Sequence, residues 1–341
     1  MPPFLKNDTN EFADDDLSES KPSLTEEKES IEERQPYRVQ IVWRNVILMS
    51  IIHLYALYGL YLCFTAAKWQ TLVAAFILYI LSGLGITAGS HRLWSHRAYK
   101  ARLPLRIFLA FLQTMAFQNH IYEWARDHRV HHKYSETDAD PHNSNRGFFF
   151  AHVGWLLCRK HPDVIKKGSL INLDDLLRDP IVALQRKYYL PLVVLICFII
   201  PTLLPTLWGE TLWNAFFICA AFRYVWTLNM TWLVNSAAHF WGRHPYDNTI
   251  KPAENLFTVY GAVGEGFHNY HHVFPWDYRA SELGFRFNLT TIFIDLMAAL
   301  GQAYDLKQVS TEMVISRKHR TGDIYQYGNY GRYNPIHSKT S

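Results

Sequence analysis

Four long apolar stretches interrupt an otherwise polar chain. They cover residues 45–67, 69–89, 189–208 and 212–234. A helix of about 20 residues crosses the hydrocarbon core of a bilayer, so each stretch predicts a membrane helix. The first, NVILMSIIHLYALYGLYLCFTAA, carries one histidine and no charge; His53 reads as a packed interhelical side chain. Pro201 and Pro205 interrupt the third. Very short connections at Lys68 and at Trp208–Glu210 predict two helical hairpins. A fifth apolar run, Leu103 to Phe117, is too short to span and predicts a buried or re-entrant helix beneath any site formed by the polar segments.

Two hairpins leave residues 1–43, 90–188 and 240–341 on one side of the membrane. The expected fold class is an all-α membrane protein with four transmembrane helices in two hairpins and a helical cap. The cap is drawn from residues 90–188 and 240–325. The expected domains are a disordered tail at 1–35, a membrane domain at 36–325 and a flexible tail at 326–341.

Apolar residues make up 49% of the chain, yet mean hydropathy is only −0.10, so they must be concentrated in segments. Residues 1–35 hold eleven Asp/Glu against four Lys/Arg. Against a whole-chain charge of +4, residues 36–341 therefore carry +11. The acidic tail lacks the charged-then-apolar pattern of a signal peptide and is expected to be disordered. The Lys/Arg-rich polar segments place the cap in the cytoplasm, because the connections at 68 and 209 carry almost no basic residues. The four cysteines form no CxxC pair and read as reduced, mostly buried hydrophobes.

The chain has 17 histidines, and nine of them recur in clusters. WARDHRVHHK holds His128, His131 and His132, and HNYHH holds His268, His271 and His272 at the same spacing. On a helix, positions i, i+3 and i+4 share one face. HRLWSH adds His91 and His96, and NSAAH sets Asn235 and His239 four apart. All four clusters fall on the cap side. Nine ligands exceed what one ion accepts, so two metals are expected, with Asn235 completing a shell directly or through water. An all-imidazole pair of sites with open positions suits iron, although imidazole also suits Zn, Cu and Ni. His91 and His96, five apart, would not align on an ideal α-helix. The other eight histidines read as packing, capping or surface residues, with His120 and His152 nearest to supporting the ligands.

HRLWSH, EWARDHRVHHK, ADPHNSNRGFFFAHVGWLL, NSAAHFWG and GEGFHNYHHVFPWDYR resemble the membrane acyl-CoA desaturases of the stearoyl-CoA Δ9 type. The resemblance runs from about Arg38 to Asp323. It implies two iron ions held by the nine histidines and a long-chain acyl-CoA substrate. It also implies O2 as oxidant, with electrons from NADH through a reductase and cytochrome b5. The implied location is the endoplasmic reticulum membrane, with both termini and the active site cytosolic. Asn235 matches an asparagine that reaches one iron through water. Asn45, Asn119, Arg126, Asp127, Arg159, Lys160 and Trp232 match positions that contact acyl-CoA. Arg and Lys are the usual partners of the phosphates that coenzyme A carries. Tyr79 and Gly83, three and two turns before His91, are expected at the floor of an acyl tunnel.

Two positions depart from the pattern. His120 stands where vertebrate members have an acidic residue, and residues 310–323 look short and irregular. The group includes members acting at other bond positions, as in insect pheromone synthesis. The sequence has no HPGG haem motif, so the electron donor is expected to be a separate chain. A di-iron hydroxylase could use the same boxes. A non-enzymatic metal-dependent membrane receptor would need no tunnel and no O2.

Overall fold

The computed structural model describes residues 37–323, apart from 285 and 287. The expected tails at 1–35 and 326–341 lie outside the described residues. Four helices are long and apolar enough to cross a membrane: Trp43–Thr65, Trp69–Ser95, Tyr189–Trp208 and Leu212–Phe240. The chain is a multi-pass membrane protein. The second and fourth spans, 27 and 29 residues, are longer than the apolar stretches that seed them. At 1.5 Å per residue the excess over a span of about 20 residues projects roughly 10–13 Å beyond the hydrocarbon. Those projecting ends carry His91 and His239.

The spans do not pack as two isolated hairpins. The first span takes the fourth as its main neighbour: Tyr55 and Tyr58 meet Phe217 edge-on at 5.4 and 4.8 Å. Gly59 makes this crossing possible, because a Cβ there would lie 2.1 Å from the Phe217 carbonyl oxygen. His53 fills the expected interhelical role. It bonds the Met49 carbonyl, receives Asn229 Nδ2 at 3.3 Å and stacks near Trp232. The two short connections meet at one end of the bundle. There the Glu210 carboxylate accepts from Lys68 N at 2.9 Å, Thr71 Oγ1 at 2.8 Å and Asn214 Nδ2 at 2.9 Å. Lys68 Nζ in turn caps the carbonyls of Trp208 and Gly209.

Arg223, in the middle of the fourth span, is fully buried, and among the described residues it bonds carbonyls and a hydroxyl and pairs with no carboxylate. Its guanidinium donates to Cys219 O (3.1 Å), Met115 O (2.9 Å), Cys197 O (3.0 Å) and Ser82 Oγ (3.1 Å). Cys197 and Cys219 lie in wide π-helical stretches, Val194–Ile199 and Phe216–Phe222, where the ordinary i→i−4 bonding is interrupted. One cation thereby ties the second, third and fourth spans to the helix Leu103–Ala116. That helix packs against the projecting part of the second span, as the short apolar run led one to expect, and ends at Phe117 in a left-handed turn (φ 47°).

Among the described residues the polar segments between and after the spans are helical except for one two-stranded antiparallel sheet, which the all-α expectation omitted. Lys100 pairs with Tyr304 and Ala101 with Ala303. It joins the loop after HRLWSH to the end of the helix Leu289–Ala299. Residues 311–321, within the stretch that departs from the family pattern, form a helix capped by Ser310. That helix closes an aromatic cluster behind HNYHH made of Tyr246, Tyr270, Phe274, Val309 and Val314.

Candidate metal centre

His91 and His96 come from the end of the second span, which changes from α to π geometry over Gly85–Ser95. His96 N bonds His91 O at 3.1 Å, an i→i+5 bond. The wider turn brings residues five apart onto one side, and the two rings lie 4.9 Å apart. The spacing that misaligns them on an α-helix aligns them here. Helix Ile121–Tyr134, N-capped by the His120 ring accepting from Glu123 N, carries His128, His131 and His132. The short helix His268–Val273 carries the third box. Asn235 and His239 do not share one continuous helix. The fourth span breaks at Ser236, and His239 N bonds Ser236 O at 2.9 Å.

The nine histidines gather into two groups. Ligand atoms of His91, His96, His128, His132 and His271 lie within 4.8 Å of one another, as do those of His131, His239, His268 and His272. Each HxxHH box therefore serves both groups. Positions i and i+4 lie about 40° apart around a helix, while i+3 lies about 100° from i+4. His128 and His132 accordingly point to the five-membered group and His131 to the other. In HNYHH the roles reverse: His268 and His272 enter the four-membered group and His271 the five. The spacing alone suggested three imidazoles on one face; the backbone divides them two and one.

The donor set fits a pair of cations. Facing Nε2 atoms stand 2.8–3.1 Å apart in five contacts. Neighbouring nitrogens on an ion at about 2.1 Å are roughly 3.0 Å apart. Three carboxylates fix proton positions behind them. Glu265 meets His91 Nδ1 at 2.9 Å, Asp140 meets His131 Nδ1 at 2.8 Å, and Glu136 meets His239 Nδ1 at 2.8 Å. Each bond assigns the proton to Nδ1 and turns the Nε2 lone pair inward. His131 Nε2 is buried with no hydrogen-bond partner. Lone pairs converging in a dry pocket repel one another unless a cation lies between them.

Burial, and then the neighbouring histidines, hold His96, His128, His132, His268, His271 and His272 well below the ordinary imidazole range. They are neutral, the ligating form. Burial opposes charge on His131 as well, but Asp140 outweighs it and raises that pKa. Glu265 is pulled down to about 2: burial works against its ionisation, and Arg92 and His91 prevail.

A cavity of about 690 Å3 reaches the two groups. Asn45, Asn119, Asp127, Trp232, Asn235, Tyr79 and Gly83 line it, together with His91, His128, His131 and His268. Arg126, Arg159 and Lys160, expected to contact acyl-CoA, do not line it. Arg126 and Lys160 reach its rim by binding Asp127, while the Arg159 backbone bonds Gln40 O. His120 caps a helix and His152 binds Ser236 and Asn229, so neither supports a ligand as expected. His142, its ring 5.4 Å from that of His131, stands behind the four-membered group instead. Sequence reading also missed Glu136, Asp140 and Glu265, which carry no repeat that would single them out, and Arg44 on the cavity wall.

Four apolar spans and two imidazole clusters that could hold metal ions define a helical membrane protein with a candidate metal centre. The family model described as fatty acid desaturase matches residues 67–285. The chain belongs to the fatty acid desaturase family and is an oxidoreductase. It is 64% identical over 292 residues to an acyl-CoA Delta-9 desaturase of Acheta domesticus, covering 85% of this chain and 81% of that one. It is 60% identical over 287 residues to human stearoyl-CoA desaturase 5, covering 84% and 87% of the two chains. An acyl-CoA Delta12-desaturase of Acheta domesticus is 59% identical over 291 residues, covering 85% and 82%.

Proposed function

We propose that this protein is a Δ9 acyl-CoA desaturase that inserts a cis double bond into a long-chain saturated acyl chain. The observation that carries this reading is a single cavity shared by apolar span residues and both histidine groups. The nine histidines would hold two iron ions, with Asn235, which lines the same cavity, completing the four-histidine shell through water. When bound, the iron pair supplies the redox centre at which O2, two electrons and two protons are consumed, two adjacent C–H bonds break and two waters form. Electrons come from a separate cytochrome b5 and its NADH-dependent reductase. The two short connections lie at one end and the basic cap segments at the other, which supports a cytosolic site in the endoplasmic reticulum membrane.

The chain's own residues bind and orient the substrate. Asn45, Asn119 and Arg44 face the polar end, with Arg126, Lys160 and Arg159 near the rim as phosphate partners. Trp232, buried and facing the cavity, directs its indole toward the thioester region. The apolar wall excludes water and gains about 0.8 kcal/mol per buried CH2. Gly83 lies eight residues before His91 on one continuous helical span, about 12 Å below it, and sets the floor with Tyr79. Tyr79 Oη bonds the Gly261 carbonyl and holds that floor in place.

A second bond position has support of its own, because a relative named a Delta12-desaturase is nearly as similar as those named Delta-9. Expression in cells lacking their own desaturase, followed by mass spectrometry of fatty acids with double-bond localisation, tests both. Δ9 monounsaturated products are expected. Δ12 products would move the bond, and hydroxylated products would replace desaturation by hydroxylation. Unaltered fatty acids would overturn the enzyme reading.

A further inference from the structure

The two histidine groups differ in number, and they differ also in the charge behind them. Among the described residues the five-histidine group has one carboxylate bonded to a histidine, Glu265 on His91. Arg92, itself buried, binds that carboxylate through Nε at 3.1 Å and a terminal nitrogen at 2.8 Å, so the charge is compensated. The four-histidine group has two, Asp140 on His131 and Glu136 on His239. Asp140 is held by the backbone N–H groups of Glu136 (3.0 Å) and His142 (2.9 Å). Among the described residues no lysine or arginine forms an ion pair with it. Among the described residues the cation paired with Glu136 is the exposed Lys251 at 3.7 Å, and Glu136 takes a hydrogen bond from Ser144 Oγ at 2.6 Å. The residue stretch 136–144 thus delivers two carboxylates to the group that has one imidazole fewer.

We propose that Glu136 and Asp140 are positioning residues whose negative charge stands in for the missing fifth imidazole, so that the ion of the four-histidine group depends on them and its neighbour does not. This rests on the metal-centre reading above. A carboxylate on Nδ1–H makes the opposite nitrogen more basic and fixes its direction, and losing such a partner typically costs about 10–100-fold in metal affinity. The five-histidine ion takes its stability from ligand number, the four-histidine ion from ligand basicity and nearby charge.

The test uses the full chain, purified in detergent and loaded with ferrous iron. Iron per chain, the rate of release to a chelator and the Mössbauer spectrum are measured. Glu136→Gln keeps an oxygen that can accept from His239 Nδ1–H but removes the charge. It should release one of two ions at least about tenfold faster than the unaltered chain and change one Mössbauer doublet while leaving the other. Glu136→Asp, which restores the charge, should recover part of the retention. Asp140→Asn provides the same reading at His131 should the first variant fail to fold. Release of both ions together, or retention of both at the unaltered rate, overturns the proposal. An unaltered chain that binds fewer than two ions overturns the metal-centre reading beneath it, and the proposal falls with it.

Discussion

The two ends of the helical bundle are held by opposite means. At the turn end, one carboxylate, Glu210, is surrounded by donors from residues 68–71 and 211–214, all of them beside the connections they close. At the other end, nine imidazoles arrive from four separate segments and meet with their ligand atoms within 4.8 Å of one another in two groups. The first end is satisfied by folding alone. The second leaves imidazole nitrogens facing one another, an arrangement that metal ions would relieve. The difference teaches where substitutions should act on stability and where on chemistry.

His132→Ala should give the largest effect. It removes a ligand of the five-histidine group, so desaturated product should fall below detection and bound iron should drop, while the far end stays folded; retained product formation would break the contrast. Glu210→Ala should act in the opposite way. It removes the acceptor of the buried Thr71 hydroxyl, a donor worth about 1–3 kcal/mol when left unsatisfied, and of three part-exposed donors, so thermal stability should fall by several °C while the surviving protein keeps its product profile.

Gly83→Leu lies between the two ends. A Cβ there would come within 2.6 Å of Val263 Cγ2, and both residues line the cavity, so a leucine must displace Val263 and take up space at that wall. Products should shift toward shorter chains, each excluded CH2 costing about 0.8 kcal/mol, and an unchanged chain-length profile would remove Gly83 from the floor.

The smallest effect concerns pH. Burial pushes the Glu254 carboxyl up to about 8 from an ordinary 4.5, although it accepts a bond from Tyr270 N. The folded chain therefore prefers the protonated form. Its contribution to stability is complete below pH 4.5, falls as pH rises, and is gone above about 8. Glu254→Gln should leave the melting temperature little changed in acid and raise it by a few °C at pH 8.5, read by thermal unfolding across that range. A constant difference at every pH would show that Glu254 does not titrate there.

Much of this was legible in the order of residues. The four spans, the short helix at 103–116, the interhelical His53 and the nine clustered histidines follow from hydropathy, length and recurrence, which are local or additive properties. Each HxxHH box was visible as a set, but the division of its members between two groups was not, because it depends on where the neighbouring boxes lie around the helix. His91 and His96 looked misaligned because an α-helix was assumed; a π-helical turn, stabilised by packing on Leu103–Ala116, reversed that. Arg126, Arg159 and Lys160 matched positions by motif; none lines the cavity, and Arg126 and Lys160 pair with Asp127, which does.

By itself, then, the sequence determined that this is a four-span membrane chain with a histidine-rich cap, since burial of apolar runs and the supply of ligands are written residue by residue. Only the tertiary structure decided which imidazoles gather together, which carboxylates stand behind them and how Arg223 is satisfied by three carbonyls and the Ser82 hydroxyl. Those are matters of distance and direction between segments as much as 180 residues apart, such as His91 and His271, and no local pattern encodes them.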